Sequence, residues 1–90
     1  SAEEVAVFAQ AAGCQLLATA LDEQAKPHFA VDFGKGSLIA FGNEGGGASE
    51  ELLAAAEKVY IPMYGEAESL NVGVSSAVVL YEAVRQRCFA

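Results

Sequence analysis

Ninety residues make one domain or part of one, and 53% of them are hydrophobic, an excess that points to a face covered by a partner subunit or by further chain. A net charge of −7, from 12 acidic and 5 basic residues, excludes these residues alone as a grip on a phosphate backbone, which needs clustered Lys and Arg. A single His, two cysteines without metal spacing and no apolar run of ~20 residues argue against a zinc site and a membrane-spanning helix. Cys14 and Cys88 are expected to be buried, reduced thiols, which suits a cytoplasmic protein.

In chain order, residues 2–12 read as a helix. Val5, Phe8, Ala9 and Ala12 fall on one face of a 3.6-residue period. Ser1 suits its N-cap, Glu3 and Glu4 its positive end, and Gly13 the position after its C-cap. QLLATAL, residues 15–21, reads as a buried strand, and Asp22 to Pro27 as a loop. His28 to Phe33 is either a short extended piece or a helical turn. SLIAF, residues 37–41, forms a second strand, followed by the glycine-rich GNEGGGA. Ser49 suits the cap of a short helix that turns Leu52, Leu53 and Ala56 inward, and KVYI, residues 58–61, a third strand. After the long loop IPMYGEAESL comes a last helix, Asn71 to about Arg87, whose first half is nearly all small or apolar. Such a helix is expected to be buried on most sides. Alternating strands and helices predict an α/β fold, a mostly parallel sheet with flanking helices. Ligands of such sheets sit beyond the C-terminal strand ends, where the loops 42–48 and 62–70 both begin.

Gly42, Gly45, Gly46 and Gly47 are spaced G-x-x-G-G-G, which is neither a dinucleotide fingerprint nor a Walker loop. The carboxylate of Glu44 would repel phosphate, so a neutral or cationic ligand suits the loop better. The alternative is a tight strand-to-helix turn with no ligand.

The stretch from Val59 to Arg87 reads VYIPMYGEAESLNVGVSSAVVLYEAVRQR. I-P-M, a short loop, S-L-N-V and a small-residue helix ending near Y-E-A-x-R-Q-R resemble the C-terminal signature of the SpoU family of the SPOUT superfamily. FGNEGGGAS upstream looks like the family's preceding motif, at the expected separation, and the resemblance covers about residues 14 to 87. It implies transfer of a methyl group from S-adenosylmethionine to a ribose 2′-hydroxyl of rRNA or tRNA. It also implies an α/β fold whose C-terminal part is a trefoil knot, and a homodimer. Carried onto this chain, the resemblance makes Gly42, Ile61 and Leu70 cofactor-binding residues, mainly through backbone groups, with Met63 in the same wall. Glu44 matches the family's acidic residue near the active site, and Ser69 and Asn71 its polar pair before the last helix. Helix capping is an equal and compatible reading of that pair.

The other polar residues have plainer readings. His28 is structural or superficial, and Glu66 and Glu68 are solvated loop charges. Arg85 and Arg87 complement the helix C-terminal dipole or touch RNA or a partner subunit. The family's earlier motif, an Asn followed by a Gly-containing stretch and an Arg, has no match here: the only arginines are Arg85 and Arg87. Residues 1–90 are therefore expected to be the C-terminal, cofactor-binding part of a methyltransferase domain, inactive alone. Two other classes compete: a non-catalytic binding or dimerisation module, and a nucleotide-phosphate domain, which Glu44 and the missing Lys disfavour.

Overall fold

The computed structural model describes residues 1–20, 22–41, 50–63 and 72–89. Helix α1 spans Ala2–Ala11. It opens on a capping box in which the Ser1 hydroxyl accepts from the Glu4 amide at 3.2 Å and the Glu4 carboxylate reaches back to the Ser1 nitrogen at 3.4 Å. It closes on Gly13, at φ 70°, with the Gly13 amide donating to the Gln10 carbonyl and the Cys14 amide to the Ala9 carbonyl. This left-handed stop satisfies the last carbonyls and turns the chain straight into β1.

Strands β1 (Gln15–Thr19), β2 (Lys26–Pro27), β3 (Ser37–Ala40) and β4 (Glu57–Tyr60) form one parallel sheet in the order β2-β4-β1-β3. A 3₁₀ turn, His28–Ala30, settles the ambiguous segment, and Val31 after it is extended. The two-residue β2 lies inside the expected loop, too short to show as a pattern. Helix α2 is Glu50–Ala55 and α3 is Val72–Cys88. The expected cap of α2, Ser49, lies outside the described residues.

Side chains alternate across the sheet, and the register sorts them. Leu17, Val59, Ile39, Phe41 and Ile61 face α3 and meet Val79 and Ala83, with Val31 and Phe33 completing the core. Ala18, fully buried and level with Lys58, faces the other side, where α1 and α2 pack on each other and on β1.

The order of strands imposes a crossing. β1 and β2 are consecutive, yet β4 lies between them, so the link 20–25 passes over β4. The Ala20 amide donates to the Val59 carbonyl at 2.9 Å, and the Lys58 ammonium pairs with Asp22 at 3.1 Å. Asp22 also accepts from the Gln24 amide, which shapes the link as a turn.

Three expectations need correction. Phe8 points outward, 64% exposed, because the inward face of α1 is centred on Ala9, small enough to let the helix sit close to the sheet. Cys88 is exposed rather than buried, at the last turn of α3, and Cys14 is half-buried. α3 buries one face through Val79, while Val74, Leu80, Tyr81 and Val84 remain exposed, Tyr81 at 69%. A helix apolar on several sides needs several covers, and among the described residues α3 is covered on the side that meets the core cluster and the 3₁₀ turn.

Candidate functional site at the C-terminal edge of the sheet

The parallel register brings the ends of three strands to one edge. Ala18 lies opposite Ala40 and Thr19 opposite Val59, so Thr19, Phe41 and Ile61 occupy the same rim. Phe41 and Ile61 both pack on the core cluster around Leu17 and Val79. The two motif-bearing segments therefore leave the sheet at neighbouring points, one after Ala40 of β3 and one after Tyr60 of β4. Ile61 and Met63 are half-buried beyond the last sheet pairing of β4. Gly42, Glu44, Ser69, Leu70 and Asn71 lie outside the described residues. Thr19, a polar side chain at this rim, was not singled out from sequence because it sits inside an apolar strand pattern.

On the other face of β4, the same edge carries an open groove of about 480 Å³ lined by Asp22, Glu23, Ala25 and Tyr60. The Gln24 amide, and then the Lys58 ammonium, lower the Asp22 carboxyl below its ordinary value, so it is ionised near neutral pH. The two faces of this rim therefore differ: apolar on the α3 side, with Phe41 and Ile61, and acidic on the other, where Asp22 is paired with Lys58. Among the described residues no group of three His, Cys, Asp or Glu side chains could hold a metal ion, and no helix is long and apolar enough to cross a membrane.

A second polar arrangement lies at the far end of α3. Glu82 accepts from Arg85 through both carboxylate oxygens, at 2.9 and 2.8 Å, and from the Gln86 amide at 2.7 Å. Gln86 also donates to the Val31 carbonyl and accepts from the Phe33 amide, each at 2.8 Å. Arg87 donates to the carbonyls of Phe33, at 2.8 Å, and Lys35, at 3.2 Å. Arg87 thus binds backbone of another segment. The sequence reading passed over Gln86, because a Gln at a helix end carries no motif. His28 stands edge-on to Phe29, ring centres 5.5 Å apart, and its buried Nδ1 has no hydrogen-bond partner among the described residues.

Comparison with known proteins places this architecture. Residues 1–81 match the model of the SpoU rRNA methylase family. The chain is 47% identical over 81 residues to tRNA (guanosine(18)-2′-O)-methyltransferase of Thermus thermophilus, covering 89% of this chain and 42% of that protein. It is 45% identical over 76 residues to the Escherichia coli enzyme of the same name, covering 83% of this chain and 33% of that one. The crystal structure of the Aquifex aeolicus TrmH/SpoU tRNA modifying enzyme superposes with a TM-score of 0.86 at 39% identity, over 97% of this chain and 45% of that one. The SpoU methyltransferase AviRb of Streptomyces viridochromogenes, solved in complex with the cofactor AdoMet, superposes at 0.82 with 37% identity, over 100% of this chain and 38% of that one. The chain spans less than half the length of these relatives. With the family model matching 81 of its 90 residues and an α/β fold shared with solved members, the chain belongs to the SpoU rRNA methylase family.

Proposed function

We propose that this chain is the cofactor-binding C-terminal portion of an S-adenosylmethionine-dependent RNA ribose 2′-O-methyltransferase, acting on rRNA or tRNA in the cytoplasm. The observation that carries the reading is the shared rim. The two segments bearing the family motifs leave the sheet at Phe41 and Ile61, side chains packed on one core cluster. The residues present fit the adenosine part of the cofactor, for which the apolar wall of Phe41 and Ile61 is suited. Bound there, S-adenosylmethionine supplies an electrophilic methyl group. Gly42, Ile61, Met63 and Leu70 would hold the cofactor, mainly through backbone groups. Glu44, Ser69 and Asn71 shape the space where the ribose hydroxyl enters and orient it by hydrogen bonding.

A ribose hydroxyl is a poor nucleophile near neutral pH, so a group must remove or polarise its proton. A carboxylate with an unperturbed pKa of about 4 is a weak base for that task. With no match to the family's Arg motif, residues 1–90 bind cofactor but do not methylate RNA alone. The acidic surface leaves RNA contact to other parts of the protein. The crossing of the link 20–25 over β4 supports a trefoil knot, and the exposed Leu80, Tyr81 and Val84 of α3 support a homodimer.

Calorimetric titration with S-adenosylhomocysteine, with ATP as comparison, tests the reading. Binding of the first alone is expected, with Gly42→Leu weakening it because a side chain would fill the space where ligand meets backbone. ATP binding in its place, or an unaffected Gly42→Leu, refutes it. Robust tritiated-methyl transfer to bulk rRNA or tRNA by residues 1–90, abolished by Glu44→Ala, would refute the inactivity. A stable monomer in sedimentation would refute the homodimer.

A further inference from the structure

The link 20–25 crosses β4 to reach β2, and little backbone pairing holds it there. β2 has two residues, in register with Val59 and Tyr60, and Pro27 has no N–H to give the ladder. β2 is also the edge of the sheet, so no further described strand braces it. The Ala20 amide, bonded to the Val59 carbonyl at 2.9 Å, adds one contact where the link begins.

Charge supplies what the backbone lacks. Lys58 pairs with Asp22 at 3.1 Å and Lys26 with Glu57 at 2.8 Å. Among the described residues these are the two ion pairs that join segments distant in sequence, since Ser1–Glu4 and Glu82–Arg85 are each three residues apart. Both join the link and β2 to β4. Side chains alternate along a strand, so the two pairs stand on opposite faces of the sheet. Glu57 is level with Leu17, on the α3 side, and Lys58 is level with Ala18, on the other. Asp22 is held in place by the Gln24 amide, 2.8 Å from its carboxylate, and the Ala25 amide closes the turn on the Asp22 carbonyl at 3.0 Å.

Such pairs answer to salt in a way that a packed core does not. The four side chains are 26–56% exposed, so counter-ions reach them. The core beneath, with Leu17, Val59 and Val79, is held by apolar contact, which added salt does not screen.

We propose that the link 20–25 is a strap fastened across β4 by these two ion pairs, and that raised ionic strength unfastens it locally while the core beneath stays folded. Unfastened, the strap uncovers β4 at Tyr60, where Asp22, Glu23 and Ala25 line the open groove. Local opening of this kind draws on the few contacts that hold the segment, not on the stability of the whole domain.

The test is backbone amide hydrogen exchange, read by NMR in the protein at about pH 7, in about 0.02 M and about 0.5 M sodium chloride. The Ala20 amide reports the strap and the Leu17 amide the core. At the higher salt Ala20 should exchange about fivefold faster relative to Leu17. An unchanged ratio overturns the proposal, because salt then has no effect on the strap or strap and core open together. A second comparison isolates one pair. Lys26→Glu sets two carboxylates against each other at Glu57 and should speed Ala20 about tenfold at the lower salt, with Leu17 unmoved. Lys26→Glu combined with Glu57→Lys restores a pair of reversed sense and should return Ala20 to within about twofold of wild type. Failure of the reversed pair to rescue overturns the proposal, since the loss then does not come from charge. If Lys26→Glu does not fold, the salt comparison on the wild type decides alone.

Discussion

Acid should loosen the end of α3 through one carboxylate. Glu82 accepts from both nitrogens of the Arg85 fork and from Gln86, with its side chain only 9% exposed. The Arg85 hydrogen bonds first, and then the Gln86 amide, hold its pKa down to about 2 from an ordinary 4.5, against the opposing effect of burial. The folded value lies below the unfolded one. The stabilisation is therefore fully present above about pH 5 and is lost as the pH falls through about 4 toward 2. At ~1.4 kcal/mol per unit, the ceiling is roughly 3 kcal/mol. Arg85 is half exposed, and solvent and salt weaken its share, so about 1–2 kcal/mol is the expected effect. Glu82→Gln keeps the shape and removes the charge. Urea unfolding of both proteins from about pH 7 down to about pH 3 should show a gap of about 1–2 kcal/mol at the top that shrinks on acidification, the other carboxylates cancelling between them. A gap that stays constant, or widens as the pH falls, would refute the electrostatic account of this cluster.

Three further substitutions probe the fold. Val79→Ala removes two methyl groups from a side chain 1% exposed against Leu17 and Val59; it should cost about 2–3 kcal/mol in chemical denaturation, transfer and cavity together. Gly13→Ala meets no atom within 4 Å, so its cost comes from the φ of 70° alone, about 1 kcal/mol and a lower melting temperature. Phe8→Ser should shift the stability of the isolated chain by less than about 0.5 kcal/mol, because the ring stands in solvent; a loss of 2 kcal/mol or more would return Phe8 to the core.

Much of the fold was legible because local signals agreed. Ser1 with Glu4, and Gly13 after the last turn, bracket α1 to within a residue or so. Apolar runs bounded by turn residues found β1, β3 and β4. The α/β class followed from their alternation, and the sheet is parallel throughout its described strands. Periodicity was weaker at choosing faces. Val5, Phe8 and Ala9 share a stripe, but the width of the contact is set by the sheet beneath, and Phe8 falls outside it. In α3 the apolar residues run around the helix, so the pattern could not say which face meets the core. The choice of Val79 and Ala83 depends on where the sheet meets the helix.

The rim was legible only as loop origins, and the reason lies in how such sites are made. Phe41 and Ile61 were already needed as core, and Thr19 hides in a strand pattern, so composition does not distinguish a rim residue from a packed one. The hold on α3 was invisible for a related cause. Gln15, Gln86 and Arg87 bind backbone of the 31–35 segment, and backbone carries no residue code. Sequence distance hides such pairs further, with Gln86 53 positions from the amide it accepts. Yet buried backbone outside a strand always needs partners. A short apolar segment between strands, here Val31 and Phe33, therefore implies polar side chains elsewhere that serve it. The uncommitted Gln and Arg at the end of an otherwise apolar helix are the natural candidates.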